Sequence, residues 1–487
     1  MVLTSFYYFV FLFCSLIFYY LLPKKVSYVS LLLFSIGFLF IGTANWYTLF
    51  YTLAILGITY GGSLLIDKYR DEKKKKNAFF IISLVLIIGI LTFLKYTNLF
   101  IVPINLFLRN KLPLFYPDAP MGVSYYSLIL IGYLINVYWG VHEVTKNPLK
   151  LGLFMSYFPL LTSGPIIDYN EMKDSLFVKN KFKLHNILDG LLRILWGVFK
   201  VLIISTRLDI FVSGVYNDIS NYSFFIVLIA IFGYTLQLYS NFSGTIDIAL
   251  GSAKLFGIEL PENFNKPFES ETITEFWRRW HITLCTWLKK YIFYPIMKSE
   301  GFQKMSKTLK TKANGSFKKL PTYLSLLIVW LVIGIWHGGS YKFIVASGLL
   351  QFLCIVLEDI FGMVNKKCDI FDKMFRRLRT FVVFSFTLVF FRASSLASGL
   401  DILRQVFKMG SFSITLPGLN VADLVIVAVS LIGLFIVEYY IDNIRECLKN
   451  KSVAFKLGLI LFFIIFVLVF GVYGFGFNKT DFIYGKF

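Results

Sequence analysis

The 487-residue chain predicts an all-α polytopic transmembrane protein of about 11 membrane helices, with re-entrant and interfacial helices added to them. Two observations carry this. Hydrophobic residues make up 57% of the sequence, with 54 Phe and 29 Tyr, which is too apolar for a soluble globule of ordinary composition. The apolar residues also fall in long unbroken runs, as at 78–94 and 457–471. A hydrocarbon core about 30 Å thick needs roughly 20 apolar residues in a helix, and such runs recur along the chain from Phe6. Strands of a membrane barrel would alternate polar and apolar residues, so a barrel is excluded.

Residues 1–95 are expected to form N-terminal peripheral helices, near 5–22, 26–43 and 46–66 and over the run at 78–94. The first 22 residues lack a basic leading region and are followed by Pro23, Lys24 and Lys25 rather than a small-residue cleavage site, so they read as a retained helix. Residues 98–361 form the expected catalytic core. Its first part carries Pro103, Pro113, Pro117, Pro120, Pro159 and Pro165, and there re-entrant or interfacial segments compete with full spans. Thr272-Ile273-Thr274-Glu275 has the pattern of a capping box, which opens a motif helix over 273–291. Residues 321–361 read as an apolar hairpin, and 381–487 as C-terminal peripheral helices near 381–391, 420–441 and 457–473. Without a visible internal repeat, one membrane domain over 1–487 is the simplest organisation.

The net charge of +21 is concentrated in short loops at 67–76, 297–319, 365–379 and 442–456. The positive-inside rule accounts for them as cytoplasmic loops, so nucleic acid is not an expected partner and the lipid bilayer is. Counting crossings between those loops places both termini outside. Five cysteines form neither a CxxC nor a metal-ligand spacing, so neither a disulfide framework nor a metal site is indicated.

Four histidines occur, and two sit in apolar motifs: His281 in Phe276-Trp277-Arg278-Arg279-Trp280-His281, and His337 in Gly334-Ile335-Trp336-His337-Gly338-Gly339. An ionisable group in membrane-embedded sequence is a functional-site hypothesis by default. At 100° per residue the motif helix is amphipathic, with Phe276, Trp277, Trp280, Leu284, Trp287, Leu288 and Tyr291 on one face. Arg278, Arg279, Thr286, Lys289 and Lys290 fall on the other, with His281 at the border. Such a helix can lie at the cytoplasmic interface, its cations toward headgroups or a phosphorylated donor; lipid anchoring alone also accounts for them. His337 is expected at the hairpin turn, where a neutral imidazole is the form able to take a proton from an alcohol; a core histidine bonded to a carbonyl is the plainer alternative. A third cluster, Tyr234, Gln237, Tyr239, Asn241, Ser243 and Asp247, interrupts an apolar helix. Either it lines a cavity, with Asp247 orienting a histidine or a substrate hydroxyl, or it is a self-satisfied network that fixes packing. His142 and His185 lie in charged loop sequence and are expected to be solvated.

These motifs resemble those of the bacterial membrane-bound O-acyltransferases, in particular the branch that acetylates polysaccharides and peptidoglycan. The similarity includes Asn98-Leu99-Phe100 after Lys95-Tyr96, Gly122-Val123-Ser124-Tyr125-Tyr126, Tyr157-Phe158-Pro159, Ser163-Gly164-Pro165-Ile166 and Gln237-Leu238-Tyr239. It continues through Phe242-Ser243-Gly244, Leu260-Pro261-Glu262-Asn263-Phe264-Asn265, both histidine motifs and Phe391-Arg392-Ala393. Lys289-Lys290 stands where relatives carry Arg-Asp, and Asn241 where an aspartate precedes Phe-Ser-Gly. The resemblance implies that His337 is catalytic and His281 a second functional histidine. Arg278, Arg279, Trp280, Gln237, Asn241, Asp247 and Trp336 are the accompanying candidates for binding substrate or donor. It further implies a multi-pass protein of a bacterial plasma membrane with no permanently bound cofactor. The donor would be acetyl-CoA or an acyl-carrier thioester from the cytoplasm. The acceptor would be a hydroxyl of a cell-wall polymer or exopolysaccharide, reached directly or through an extracytoplasmic acyltransferase. D-alanyl transfer to teichoic acid from a carrier protein is the nearest alternative, against which the longer C-terminal region and the Phe482-Ile483-Tyr484 ending argue mildly. A transporter or flippase is the alternative of a different class, and would call for inverted repeats.

Overall fold

The computed structural model describes residues 3–23, 26–312, 319–363, 369–408 and 416–474, with side chains throughout except at 310–312. Lys24, Lys25, residues 313–318 of the 297–319 loop, residues 365–368 of the 365–379 loop with Cys368 among them, and Phe482-Ile483-Tyr484 lie outside the described residues. Among those described, regular structure is helical, apart from an isolated antiparallel bridge between Phe264 and Trp280.

Seven described helices are long and apolar enough to cross a membrane: Trp46–Lys68, Lys73–Lys95, Phe224–Leu255, Leu320–His337, Tyr341–Ile360, Val421–Tyr439 and Val453–Phe470. Four shorter apolar helices, Phe6–Leu21, Ser27–Gly42, Thr97–Phe107 and Val123–Trp139, join them, so the chain is an all-α multi-pass membrane protein. The proline-rich middle resolves into short pieces. Pro103 lies inside the 11-residue helix Thr97–Phe107. Pro148–Ser156 has 9 residues, and at about 1.5 Å per residue it reaches only about half way through a hydrocarbon core. The hairpin expected over 321–361 is present, its two helices meeting at residues 338–340.

Phe224–Leu255 is central. In its spanning window 67% of residues are buried, against 17% for Val421–Tyr439, whose outward side chains are left for lipid. It packs on Leu184–Phe199 through two facing glycine pairs. A Cβ built on Gly197 would lie 2.4 Å from the Gly244 carbonyl oxygen, and one on Gly251 would lie 2.7 Å from that of Gly190. Small residues let membrane helices approach backbone to backbone, where dispersion contacts replace the hydrophobic drive that lipid cannot supply.

The same two helices share buried charge. Lys200, in the π-turn that follows Phe199, places its ammonium 2.6 Å from Asp247 Oδ2 and 3.1 Å from Ser243 Oγ. Arg193 donates to Asp247 Oδ1 at 3.0 and 2.9 Å and to Glu262 at 2.7 and 2.6 Å. Glu438 on Val421–Tyr439 accepts from the Tyr239 hydroxyl and lies 3.5 Å from Lys200. Within the polar cluster, Asp247 faces two cations, Lys200 and Arg193.

Two substitutions test these contacts. Gly197→Leu drives a side chain into a backbone carbonyl and should cost roughly 2–3 kcal/mol or more, read as a lowered unfolding midpoint in detergent. An unchanged midpoint would contradict the close approach. Asp247→Ala leaves Lys200 buried beside a lost partner and should cost about 3–5 kcal/mol, whereas the exposed Asp401→Ala should stay within about 0.5 kcal/mol.

Candidate active site

The motif segment begins as its sequence indicates. Thr272 Oγ1 accepts from the Glu275 amide at 3.0 Å, and the Glu358 carboxylate, from the second hairpin helix, accepts from Ile273 N at 2.8 Å and Thr274 N at 3.2 Å. The reciprocal arm of the capping box is not made: Glu275 instead accepts from Glu271 N and pairs with Arg279 at 2.7 Å.

The helix expected over 273–291 is broken. Ile273–Arg279 ends, Trp280 is extended, and His281 takes a left-handed conformation at φ 47° before Ile282–Leu288 begins. The reason is a competing backbone partner. Asn265 N donates to Arg279 O at 2.9 Å and Ile282 N to Asn263 O at 3.0 Å, so the 263–265 segment takes up groups that a continuous helix would have used internally. A left-handed non-glycine residue costs on the order of 1–2 kcal/mol, and such outliers gather at functional sites.

The break also turns the tryptophans of the expected apolar face into the protein. Trp277 Nε1 donates to Gln351 at 3.0 Å and Trp287 Nε1 to Leu128 O at 3.0 Å, both inside the protein. Trp280, 1% exposed, packs among Phe264, Phe276, Tyr239 and Phe384, with ring centroids 5.0–5.7 Å away. Arg279 is held by Glu275, while Arg278 is exposed.

The two motif histidines meet around one indole. His281 lies with its ring centroid 6.0 Å from that of Trp336, and His337, the last residue of its helix, 5.1 Å from it. Both imidazoles are buried. Phe242 stands edge-on to His281 at 4.9 Å and Phe391 to His337 at 5.4 Å. Trp336 is fixed by its Nε1, which donates to Ser124 O at 3.4 Å, and by the Tyr96 hydroxyl, which donates to Trp336 O at 3.3 Å. Lys95 donates to Ser124 Oγ at 2.8 Å. Gly339 is required here, because a Cβ at that position would lie 2.2 Å from Lys95 O.

Of the other expected site residues, Gln237 donates to Asp209 at 2.6 Å, and the chain continues through Ser213 to Arg392, the residue after Phe391. Asn241 is buried next to Phe242, and its Oδ1 has no hydrogen-bond partner among the described residues. Asp247 belongs to the ionic network on Lys200 and Arg193.

His142 corrects an expectation. It is not solvated but buried, with Nε2 2.6 Å from Asp168 Oδ1, while Lys290 lies 2.6 Å from Asp168 Oδ2 and Asn136 Nδ2 donates to the same oxygen at 2.9 Å. Burial alone would raise the Asp168 carboxyl; the bonds from His142 and Lys290 outweigh it and hold that group well below the usual carboxylate range. His185 is exposed, as expected. The sequence reading left Asn263, Ser124 and Lys95 out of the site. All three stood in quoted motifs, but no periodicity or spacing connects them to a histidine.

The family model of the membrane-bound O-acyltransferases matches residues 142–400, a stretch that contains both motif histidines. The chain is 30% identical over 366 residues to the peptidoglycan O-acetyltransferase of Helicobacter pylori, covering 70% of this chain and 66%, just under two thirds, of that protein. It is 28% identical over 445 residues to the probable alginate O-acetylase AlgI of Pseudomonas syringae pv. tomato, with 89% and 81% covered. It is 27% identical over 309 residues to the teichoic acid D-alanyltransferase of Bacillus subtilis, with 62% and 74% covered. With more than half of its length matched in this way, and with its buried histidine pair inside the matched stretch, the chain belongs to the membrane-bound O-acyltransferase family.

Proposed function

We propose that this protein moves an acetyl group from a cytoplasmic thioester, acetyl-CoA, to a hydroxyl on the outer side of a bacterial plasma membrane. The acceptor is a cell-wall polymer or exopolysaccharide, or an extracytoplasmic acyltransferase that passes the group on. The observation that carries this reading is the pair of buried histidines on one indole, inside the stretch that the family model matches. Acetyl is preferred to D-alanyl because the similarity to the alginate relative extends over 89% of the chain, against 62% for the alanylating one.

In the chemistry that follows, His337 takes the proton from the acceptor hydroxyl as its oxygen attacks the thioester carbonyl. The tetrahedral intermediate collapses by breaking the C–S bond, and the imidazolium gives its proton to the departing sulfur, so an ester, a free thiol and neutral His337 result. Orientation is argued from two helices. Lys73–Lys95 and Leu320–His337 both start at lysine-rich loops read as cytoplasmic, so the ends that carry Lys95 and His337 belong to the outer half, and both termini lie outside. His281 and Trp336 position the donor, and the exposed Arg278 meets its phosphates, with Arg279, tied to Glu275, in support. Residues 98–361 act as the catalytic core between the peripheral helices of 1–95 and 381–487.

The decisive experiment follows labelled acetyl from acetyl-CoA in sealed vesicles. His337→Ala should lower incorporation by at least about 10²-fold while the unfolding midpoint holds; equal incorporation removes the proposal. A carrier-protein D-alanyl thioester that works where acetyl-CoA does not would replace acetylation with alanylation. Arg278→Ala should raise the donor KM about tenfold with kcat within about twofold, the pattern of a lost charged contact made equally in ground and transition states. An unchanged KM would take Arg278 out of the donor site.

A further inference from the structure

Asn263 is fully buried, and its side-chain oxygen faces two donors of Thr283 and one imidazole nitrogen. It lies 3.1 Å from Thr283 N, 2.9 Å from Thr283 Oγ1 and 3.3 Å from His281 Nδ1. Which amide atom faces this group follows from chemistry. A backbone N–H donates only, so the atom opposite Thr283 N is the oxygen; a reversed amide would set an NH2 group against an N–H. The Thr283 hydroxyl is oriented in the same way. Ile166 N donates to Thr283 Oγ1 at 3.0 Å, so the hydroxyl proton points to Asn263 Oδ1. An oxygen that accepts from both groups of Thr283 can meet His281 Nδ1 favourably only if that nitrogen also carries a proton. The backbone reinforces the arrangement, since Asn263 O takes the Ile282 amide just after the left-handed His281. The preceding residue, Glu262, is clamped by Arg193 and by Arg445 at 3.0 Å.

The geometry points to Asn263 as a positioning residue that fixes His281 as its Nδ1–H tautomer, which leaves Nε2 as a hydrogen-bond and proton acceptor. The inference rests on the acyl transfer proposed above and deepens it. A neutral His281 of this tautomer receives an N–H or O–H from a bound substrate at Nε2 and cannot serve there as an oxyanion donor. Stabilising the developing oxyanion then falls to other groups.

The test uses the full chain, labelled with 15N at its imidazoles, in lipid nanodiscs at mildly alkaline pH. Four histidines give four pairs of signals, and His281→Gln assigns the pair of interest by its loss. In the wild type, Nδ1 of His281 is expected protonated and Nε2 unprotonated; the reverse overturns the inference. Asn263→Leu, which keeps the volume and removes the acceptor, should release the tautomer and lower kcat about 10²-fold with the donor KM within a few-fold. Asn263→Asp, which keeps an acceptor oxygen, should preserve the tautomer and at least about a tenth of kcat. Unchanged kcat in Asn263→Leu, or a loss in Asn263→Asp equal to that in Asn263→Leu, overturns the positioning role. Should Asn263→Leu fail to fold, the wild-type spectrum and Asn263→Asp decide. Thr283→Val removes the hydroxyl donor alone and should leave the tautomer intact; a switched tautomer there would transfer the role to Thr283. The two proposals fail separately. A wild type without acetyl transfer ends the acetylation reading, whereas an active wild type with Nε2–H at His281 ends only this one.

Discussion

Two backbone hydrogen bonds, Asn265 N to Arg279 O and Ile282 N to Asn263 O, hold the rest of the site in place. They interrupt a segment whose apolar periodicity favours one continuous helix and force its histidine into the left-handed region. A continuous helix would have kept His281 at the border of an amphipathic cylinder. The interruption turns Trp280 into an aromatic cluster and sets His281 against Trp336. The strain at His281, of order 1–2 kcal/mol, is matched by the bonds that Asn263 makes to both sides of the kink, each worth about 1 kcal/mol net.

The segment that imposes the break is itself anchored in the centre of the molecule. Glycine pairs bring Phe224–Leu255 against Leu184–Phe199 at backbone contact, and Arg193, on the second of these helices, grips both Asp247 and Glu262. Phe242 reaches from the first helix to His281. The loop that shapes the histidine and the helix that packs on it are therefore tied to one helix pair. A disturbance at the glycines or the ion network is felt at the imidazole through both routes, although neither group touches it.

What was legible in the sequence was what repeats or is costly in lipid. Long apolar runs gave the spans and the hairpin, and histidines in apolar surroundings stood out because a bilayer tolerates few of them. Local chemistry was half right, since Thr272 caps its helix but Glu275 turns to Glu271 and Arg279. Long-range pairing was not legible. His142 and Asp168 are 26 positions apart, and charged flanks made His142 look solvated although it is buried on that carboxylate. Lys290, in a pair of lysines that departs from the resembled pattern, finds its counter-ion on the same Asp168. A wheel drawn at 100° assumes an unbroken helix, so it could not anticipate that 263–265 would compete for the backbone at 280–282.

The histidine pair raises a question of proton traffic that geometry helps to frame. An acyl transfer from thioester to hydroxyl starts with a proton on oxygen and ends with one on sulfur, so a single imidazole can suffice if it meets both atoms in turn. A second buried imidazole next to it is then superfluous as a base and must justify itself by orientation. His281 is built for that task. Its backbone is pinned by Asn263, and its ring lies between Phe242 and Trp336. His337, by contrast, ends a helix beside Gly339 and Ser340, where the chain turns. For the transfer proposed above, a histidine pinned through its backbone beside one at a helix terminus divides orientation from proton transfer, because donor and acceptor must meet at one proton carrier.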